Sequence, residues 1–412
     1  MSKKIVAALM VVGIIAIAIA QPGFAQDSVT YENPLSYIGE DNNLYITDAS
    51  GGVGTAITND AVFDPNVGNY IFYQTSSWSP DGQTLVFGES ESATLYMLKS
   101  GEVAVMFDVE AEDIHTAWSP DGTQIAYFGF LEEPGVLTVG VEGGEPTFWA
   151  GGLEFSIGEG PLAESAIALL AREQGSNPLR SNRYLAWLPN GIFYGSMYSN
   201  GCYAAAIAQA DGILLCTDWW GLPPFAVSPD GSRIIGTSLD FVRPIELTFT
   251  ANQSYPSDIP AELILPVDAI PLAWSEAGLY YWTSSDTTRV ESEWRIMDGY
   301  FEFSESTLTL WLAKLDGSLD TRIYETRGYG IGRVALPPSE GLPLVVSIVT
   351  SDVPAAEAFN NGASAEEVEA LRSHVEMVAL QAGVENTTPV WTLRGGQPLY
   401  GRGSFTVVTS AE

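Results

Sequence analysis

The stretch "SSWSPDGQTLVFGE" at residues 76–89 returns almost unchanged as "TAWSPDGTQIAYFG" at 116–129. The two copies put Trp78 and Trp118 at an interval of 40 residues. An internal repeat of that length limits a chain to architectures built from one small unit used many times. Weaker copies follow: "WLPNG" from Trp187, "VSPDG" from Val227, "WSEAG" from Trp274 and "LPPSEG" from Leu336. The lead residues stand 40, 69, 40, 47 and 62 apart, as one unit interrupted by insertions would give.

The chemistry of the repeated turn is legible. Proline fixes φ near −65°, Asp or Asn bonds the local backbone, and glycine takes positive φ. Such a turn joins two antiparallel strands, and alternating runs such as Leu85-Val86-Phe87 and Ile125-Ala126-Tyr127 supply the second of them. Third strands ending in a glycine turn are expected in "LYITDASGG" (44–52), "LYMLKSGE" (95–102), "LTVGVEGG" (137–144), "YAAAIAQADG" (203–212), "LWLAKLDG" (310–317) and "VWTLRGG" (390–396). Short fourth strands follow, as in "VAVMF" and "TRIYE". Four antiparallel strands per unit make one blade of a β-propeller. The expected fold is all-β and seven-bladed, with six blades as the alternative.

The seventh blade must be shared. "LSYIGE", "LYITDA" and "TAITND" near the start lack a first strand, and "SFTVVTS" near the end is a strand without a blade. Pairing them closes the ring and hides both edges.

The pattern of Trp-Ser-Pro-Asp-Gly, apolar strand and Leu-Tyr third strand resembles the TolB-type β-propeller repeat, over most of residues 34–409. The resemblance implies a bacterial envelope setting and a binding role. A TolB chain also carries an α/β domain ahead of its propeller. Here about ten residues separate the expected leader from the first strand, so a role in envelope integrity does not carry over.

Residues 1–25 read as a secretory signal peptide: Lys3 and Lys4, an apolar run from Ile5 to Ala20, and a cleavage site after Ala25. A retained anchor is the alternative, although the run is short for a span. The expected organisation is this leader, a linker at 26–33 and one propeller from 34 to 412. Insertions fall at 150–182, 285–307 and 351–388. The first and last insertions each carry an expected short helix. One lies within "GPLAESAIALLAREQG"; the other is capped by Ser364 and Glu367, striped by Val368, Leu371, Val375 and Val378, and stopped at Gly383. The middle insertion, acidic and aromatic, is expected as a loop or hairpin.

The chain holds 51 acidic and 17 basic residues, a net charge of −34, and losing Lys3 and Lys4 with the leader takes this to −36. Such a field repels nucleic acid and anionic lipid and favours a cationic peptide or divalent ions. Cys202 and Cys216 sit in an expected hairpin turning at Ala210–Gly212. Cys216 then faces Ala206, and Cys202 lies roughly 13 Å along the strand, too far for a disulfide.

Catalytic signals are sparse. There are two histidines, His115 and His374, and no H-E-x-x-H, C-x-x-C or G-x-S-x-G spacing. "GYGIG" at 328–332 lacks the lysine of a phosphate loop. No metal, cofactor or catalytic residue is assigned. The candidate binding residues are Trp219 and Trp220 in "DWWG", Trp294 in the acidic insertion and His115 before the second turn. The repeated tryptophans themselves are expected to fill the wedge between blades. The best reading is an exported monomeric scaffold, periplasmic or extracellular, that binds a protein or ligand. The alternative is a carbohydrate-binding or carbohydrate-active protein using acids and aromatics of one propeller face.

Overall fold

A computed structural model of the chain describes residues 28–64, 69–89, 94–108, 115–130, 134–151, 184–195, 205–209, 214–217, 221–238, 243–247, 249–250, 265–296, 299–314, 318–350 and 374–408. All regular structure among them is β. Seven antiparallel sheets of three to five strands are present, together with two small ribbons.

In chain order, sheet A takes Leu35–Ile38, Leu44–Thr47 and Thr55–Ala56 from the start and Gly396–Tyr400 from the end. Sheet B contains Tyr73–Trp78, Thr84–Glu89, Thr94–Lys99 and Glu102–Asp108. Sheet C follows with Thr116–Trp118, Gln124–Phe130, Pro134–Gly140 and Thr147–Gly151. Sheet D holds Tyr184–Leu188, Gly191–Gly195, Ala205–Ala208 and Leu214–Thr217, plus Phe249–Thr250. Sheet E has three strands, Gly221–Val227, Ile234–Ser238 and Arg243–Glu246. Sheet F is Ile270–Ser275, Gly278–Ile296, Gly299–Ala313 and Thr321–Gly328. Sheet G is Gly330–Ala335, Pro343–Thr350, His374–Gln381 and Trp391–Arg394.

The first strands of the sheets touch in a closed cycle, A to B and onward through G back to A. Each neighbouring pair shares an apolar cluster. Ile38, Leu44 and Ile46 of A meet Trp78, Leu85 and Phe87 of B; Leu310 and Leu312 of F meet Leu344, Val346 and Val378 of G. The core is therefore a set of wedges between sheets, which is why whole strands such as Thr84–Glu89 are buried on both faces. This is the layout of a β-propeller.

Trp78 and Trp118 sit in these wedges, 9% and 8% exposed, as the repeat implies. Their indoles also reach across. Trp118 Nε1 donates to the Ser77 carbonyl at 3.2 Å, and Trp78 Nε1 to the Leu399 carbonyl at 3.1 Å. Each acceptor lies one residue before the aromatic lead of the preceding sheet, which in sheet A is Tyr400.

The three Ser-Pro-Asp-Gly turns share one pattern of hydrogen bonds. Ser79 Oγ donates to Asp81 at 2.6 Å and accepts from the Thr84 amide at 2.9 Å. Ser119–Asp121 and Ser228–Asp230 repeat the 2.6 Å bond. Gly82, Gly122 and Gly231 hold φ of 70°, 70° and 68°. The turns nest along one rim: a Cβ on Gly122 would meet Pro80 of the previous turn at 3.7 Å, and one on Gly82 would strike the Arg402 carbonyl at 2.0 Å.

Closure differs from the expectation in detail. The strand that completes sheet A is Gly396–Tyr400, pairing Leu35 with Tyr400 and Ile38 with Gly396. "SFTVVTS" instead gives Ser404–Val408, which pairs with Ser28–Glu32, inside the stretch read as a linker. The two pairings form one antiparallel ribbon that bends at Asn33-Pro34 and Gly401–Gly403. Its far half lies over the A–B junction, where Phe405 is buried and meets Trp78 edge-on at 5.2 Å. Gly401, Arg402 and Gly403 thus stand where the other sheets have their Pro-Gly turn.

The helix expected to end at Gly383 is corrected. His374–Gln381 is the third strand of sheet G, paired with both Pro343–Thr350 and Trp391–Arg394. Met377, Val378, Ala379 and Leu380 are all buried, so the strand shows no two-residue alternation and its valines mimic a helical stripe. Trp391–Arg394 accordingly becomes a fourth strand, not a third. Ser364, Glu367, Val368 and Leu371 lie outside the described residues, as do 152–183 with the other expected helix. The Ala206–Cys216 pairing matches the expected register; Cys202 lies outside the described residues. Among the described residues sheet E has three strands, and the chain after the third runs back to pair Phe249 with Thr217 of sheet D.

Two outcomes follow from the turns. Gly122→Ala should cost about 1–2 kcal/mol for its positive φ alone, whereas Gly82→Ala should cost about 3 kcal/mol or more because backbone must also move; urea denaturation of both variants compares them. Asp230 is held at about 2, against an ordinary 3.8, first by the Ser228 hydroxyl and then by the Ser232 amide. A lowered pKa stabilises the fold fully above about pH 4, and that contribution is lost as pH falls through about 2. Asp230→Asn should therefore flatten the acid limb of a stability–pH curve and leave its slope near neutrality unchanged.

Candidate binding face

Strand alternation sorts the loops onto two ends of the ring. The six Pro-Gly-type turns join first to second strands and lie at one end. Connections from second to third strands, and from fourth strands to the next sheet, lie at the other. The stretches 152–183, 196–204 and 351–373 leave and re-enter at strand ends on this second side, and so does the hairpin of sheet F. The first end also carries the third-to-fourth connections, from two residues at Ser100–Gly101 to nine at 382–390; the second carries the longer interruptions.

The turn end is chemically closed. Its aspartates are spent on their own serine hydroxyls and backbone amides, which hold Asp81 and Asp121 below the usual carboxylate range. The opposite end presents the starts of the innermost strands. Tyr73, the first residue of sheet B, donates to Asp60 Oδ1 at 2.7 Å. Burial, then Asp60, pushes this phenol above its usual range. Half-buried His115 directly precedes sheet C, with its Nε2 shielded from solvent. The next residue, Thr116, shares a 2.5 Å hydroxyl bond with Ser77 and so links sheets B and C beside it. Arg394 pairs with Glu40 at 3.1 Å across sheets G and A.

The largest described feature of this end is the hairpin of sheet F. Its strands run from Gly278 to Ile296 and from Gly299 to Ala313, paired as far as Ile296 with Gly299. The 285–307 insertion is thus a hairpin, one of the two forms expected. Its neighbours stop short: Ile270–Ser275 reaches only Trp282, and Thr321–Gly328 only Ser306. At the base, Arg327 donates to the Asp286 carbonyl and to Thr307 Oγ1, each at 3.2 Å, and contacts Glu305 at 3.5 Å. Glu305 is buried, its side chain 6% exposed, while Arg327 is 43% exposed. Asp286 holds a φ of 49° at the break in register between Ser285 and Thr288.

The sequence candidates fall unevenly on this end. His115 is at the mouth of sheet C; Trp294 is in the long strand of sheet F, within the register break between Glu291 and Arg295. Sheets C and F are three steps apart in the cycle. Trp219 and Trp220 lie outside the described residues; the flanking strand ends, Thr217 and Gly221, are on the same side. Among the described residues no group of three His, Cys, Asp or Glu side chains is placed to hold a metal. Nor is any helix among them long and apolar enough to cross a membrane.

Arg327, Glu305 and the Tyr73–Asp60 bond escaped sequence reasoning. One signal was available for Arg327: in a chain with 17 basic residues, an arginine at a strand end beside "GYG" is unusual enough to test.

No family model matches the chain. No curated protein matches it either. Among solved structures it is similar to TolB from Acinetobacter baumannii, at 10% identity and a TM-score of 0.40 over 90% of this chain and 67% of that one. It is similar also to apo AztD from Citrobacter koseri, at 12% identity and 0.43, over 93% of this chain and all of the other. The tricorn protease gives 10% identity and 0.47, this chain covering 36% of its length.

Arg327→Ala should leave buried Glu305 poorly compensated and cost about 1–3 kcal/mol. Adding Glu305→Gln, which removes the charge, should recover most of that loss in a urea-denaturation cycle.

Proposed function

We propose that this chain is an exported seven-bladed β-propeller that serves as a binding scaffold without catalysis of its own. Its partner docks on the end that carries the insertions and the sheet F hairpin. The observation behind this reading is the asymmetry of the ring. At one rim the three Ser-Pro-Asp-Gly turns satisfy their own polar groups, and the other carries the two longest interruptions between strands of the repeat, 152–183 and 351–373, together with the sheet F hairpin; long loops on a repeat scaffold are where binding surfaces are built.

Charge narrows the partner. A net charge of −34 favours a cationic protein or peptide over nucleic acid or an anionic membrane. Lys3, Lys4 and the apolar run Ile5–Ala20 support export, with the mature chain starting at Gln26. The blade count rests on the seven-membered cycle of first strands, with sheet A closed by Gly396–Tyr400.

The reading is tested by hydrogen-exchange footprinting of the mature protein with a partner captured from the envelope fraction. Protection should concentrate at the insertion end, including 285–307 and the strand starts at Tyr73 and Thr116. A footprint confined to the Ser-Pro-Asp-Gly rim would reject it.

A further inference from the structure

We propose that Asn190–Gly191, at the first hairpin of sheet D, is a site of spontaneous covalent modification, deamidating through a cyclic imide to aspartate and isoaspartate. Four turns between a first and a second strand contain an Asx-Gly pair: 81–82, 121–122, 190–191 and 230–231. In each, the glycine nitrogen can attack Cγ of the residue before it, unhindered by a side chain of its own. Three of the four are guarded. Asp81, Asp121 and Asp230 each accept a 2.6 Å bond from the serine two places earlier and a 3.0 Å bond from the amide two places later. These bonds favour the ionised carboxylate, and Asp230 is held at about 2. Ring closure on a carboxyl must expel its oxygen, which leaves as water only from the protonated acid.

The fourth turn lacks that guard. Leu188 stands where the others have serine, buried with Phe193, Ile207 and Phe225, and brings no hydroxyl. The loop is also tighter: Trp78 pairs with Leu85 across Ser79–Thr84, but Trp187 pairs with Ile192 across Leu188–Gly191 alone. Asn190 is exposed, and among the described residues its carboxamide meets no hydrogen-bonding partner; its backbone carbonyl accepts from Gln209 Nε2 at 3.5 Å. A carboxamide does not ionise, so it stays electrophilic at neutral pH. The glycine is imposed by the fold: Gly191 has a φ of 148°, and a Cβ there would lie 2.4 Å from the Ala208 carbonyl oxygen. The residue the hairpin requires is thus the one that exposes its neighbour to attack.

The chemistry balances with water as its sole co-reactant. The bond from Gly191 N to Asn190 Cγ forms, the nitrogen gives up its proton, and the Cγ–Nδ2 bond breaks as ammonia departs. One water then opens the imide. Cleavage between N and Cγ leaves aspartate; cleavage between N and the main-chain carbonyl carbon leaves isoaspartate, with the backbone rerouted through Cγ. Either product adds a negative charge to the turn rim. Isoaspartate also lengthens by one carbon a loop that joins the paired residues Leu188 and Gly191, which loosens the first hairpin of sheet D.

The test incubates the folded mature protein in mildly alkaline buffer and follows it by mass spectrometry after chymotryptic digestion. The fragment Leu188–Phe193 contains Asn190 as its sole side-chain amide, so a gain of about 1 Da in that fragment reports this residue alone. The gain should accumulate with isoaspartate among its products, while isoaspartate at Asp81, Asp121 and Asp230 forms about tenfold more slowly or less. Ser228→Ala should then speed isomerisation at Asp230 about tenfold, since each unit of pKa is tenfold in the protonated fraction, and leave Asp81 unchanged. If that variant fails to fold, Ser119→Ala puts the same question to Asp121. The proposal is overturned if Asn190 reacts about tenfold more slowly in the folded protein than in a free peptide of residues 184–195, because the fold would then protect it. Isoaspartate appearing at the three aspartates as fast as at Asn190, or a serine variant without effect on its aspartate, would overturn it equally.

Discussion

The ring depends on packing between sheets more than on pairing within them. Every sheet is short, and on its own would expose two apolar faces. Only a neighbour on each side removes both. Trp78 and Trp118 act at this junction twice over: the ring fills the wedge, and the indole N–H ties it to the backbone of the sheet before. Where the wedge is thin, other chemistry is recruited. Between E and F the buried cluster is reduced to Ala226, Ile235 and Leu279. There Arg233 stacks on Trp274 at 4.8 Å while its two nitrogens grip Glu246 at 2.7 and 2.8 Å. A planar cation between an indole and a carboxylate does the work of an aliphatic layer.

What was legible in the sequence was what local chemistry dictates. Each Pro-Gly turn lies where its residues put it, because its hydrogen bonds close within six residues. The third strands of sheets A to D and F were legible for the same reason, each being followed by a glycine turn; that of sheet E, Arg243–Glu246, has no such turn and was missed. The misreading of His374–Gln381 has a physical cause. A strand buried on both faces has no polar side to reveal its period, and a stripe at three- and four-residue spacing arises by default. One error produced a second, since removing that strand promoted Trp391–Arg394 by one place. The exchange of Phe249–Thr250 into sheet D is a tertiary choice with no local signature.

Function was less legible than fold, and for a related reason. The residues that shape the insertion end are held by partners distant in sequence, as Arg327 holds Asp286 and Arg394 holds Glu40. Pattern reasoning favours conspicuous residues such as Trp294. The anchor that positions its hairpin is an arginine 33 places further on.

The bent ribbon that unites Ser28–Glu32 with Ser404–Val408 has a consequence for how the molecule is born. Its two halves are separated by nearly the whole polypeptide, so a nascent chain carries an unlocked circle until its last strand has emerged. During that interval sheet A lacks its axial strand, and two raw flanks stand open to any passing neighbour. Closing the circle therefore means joining Leu35 to Tyr400 and Ser28 to Val408, the most distant pairings among the described residues and the ones with the largest loop-closure cost.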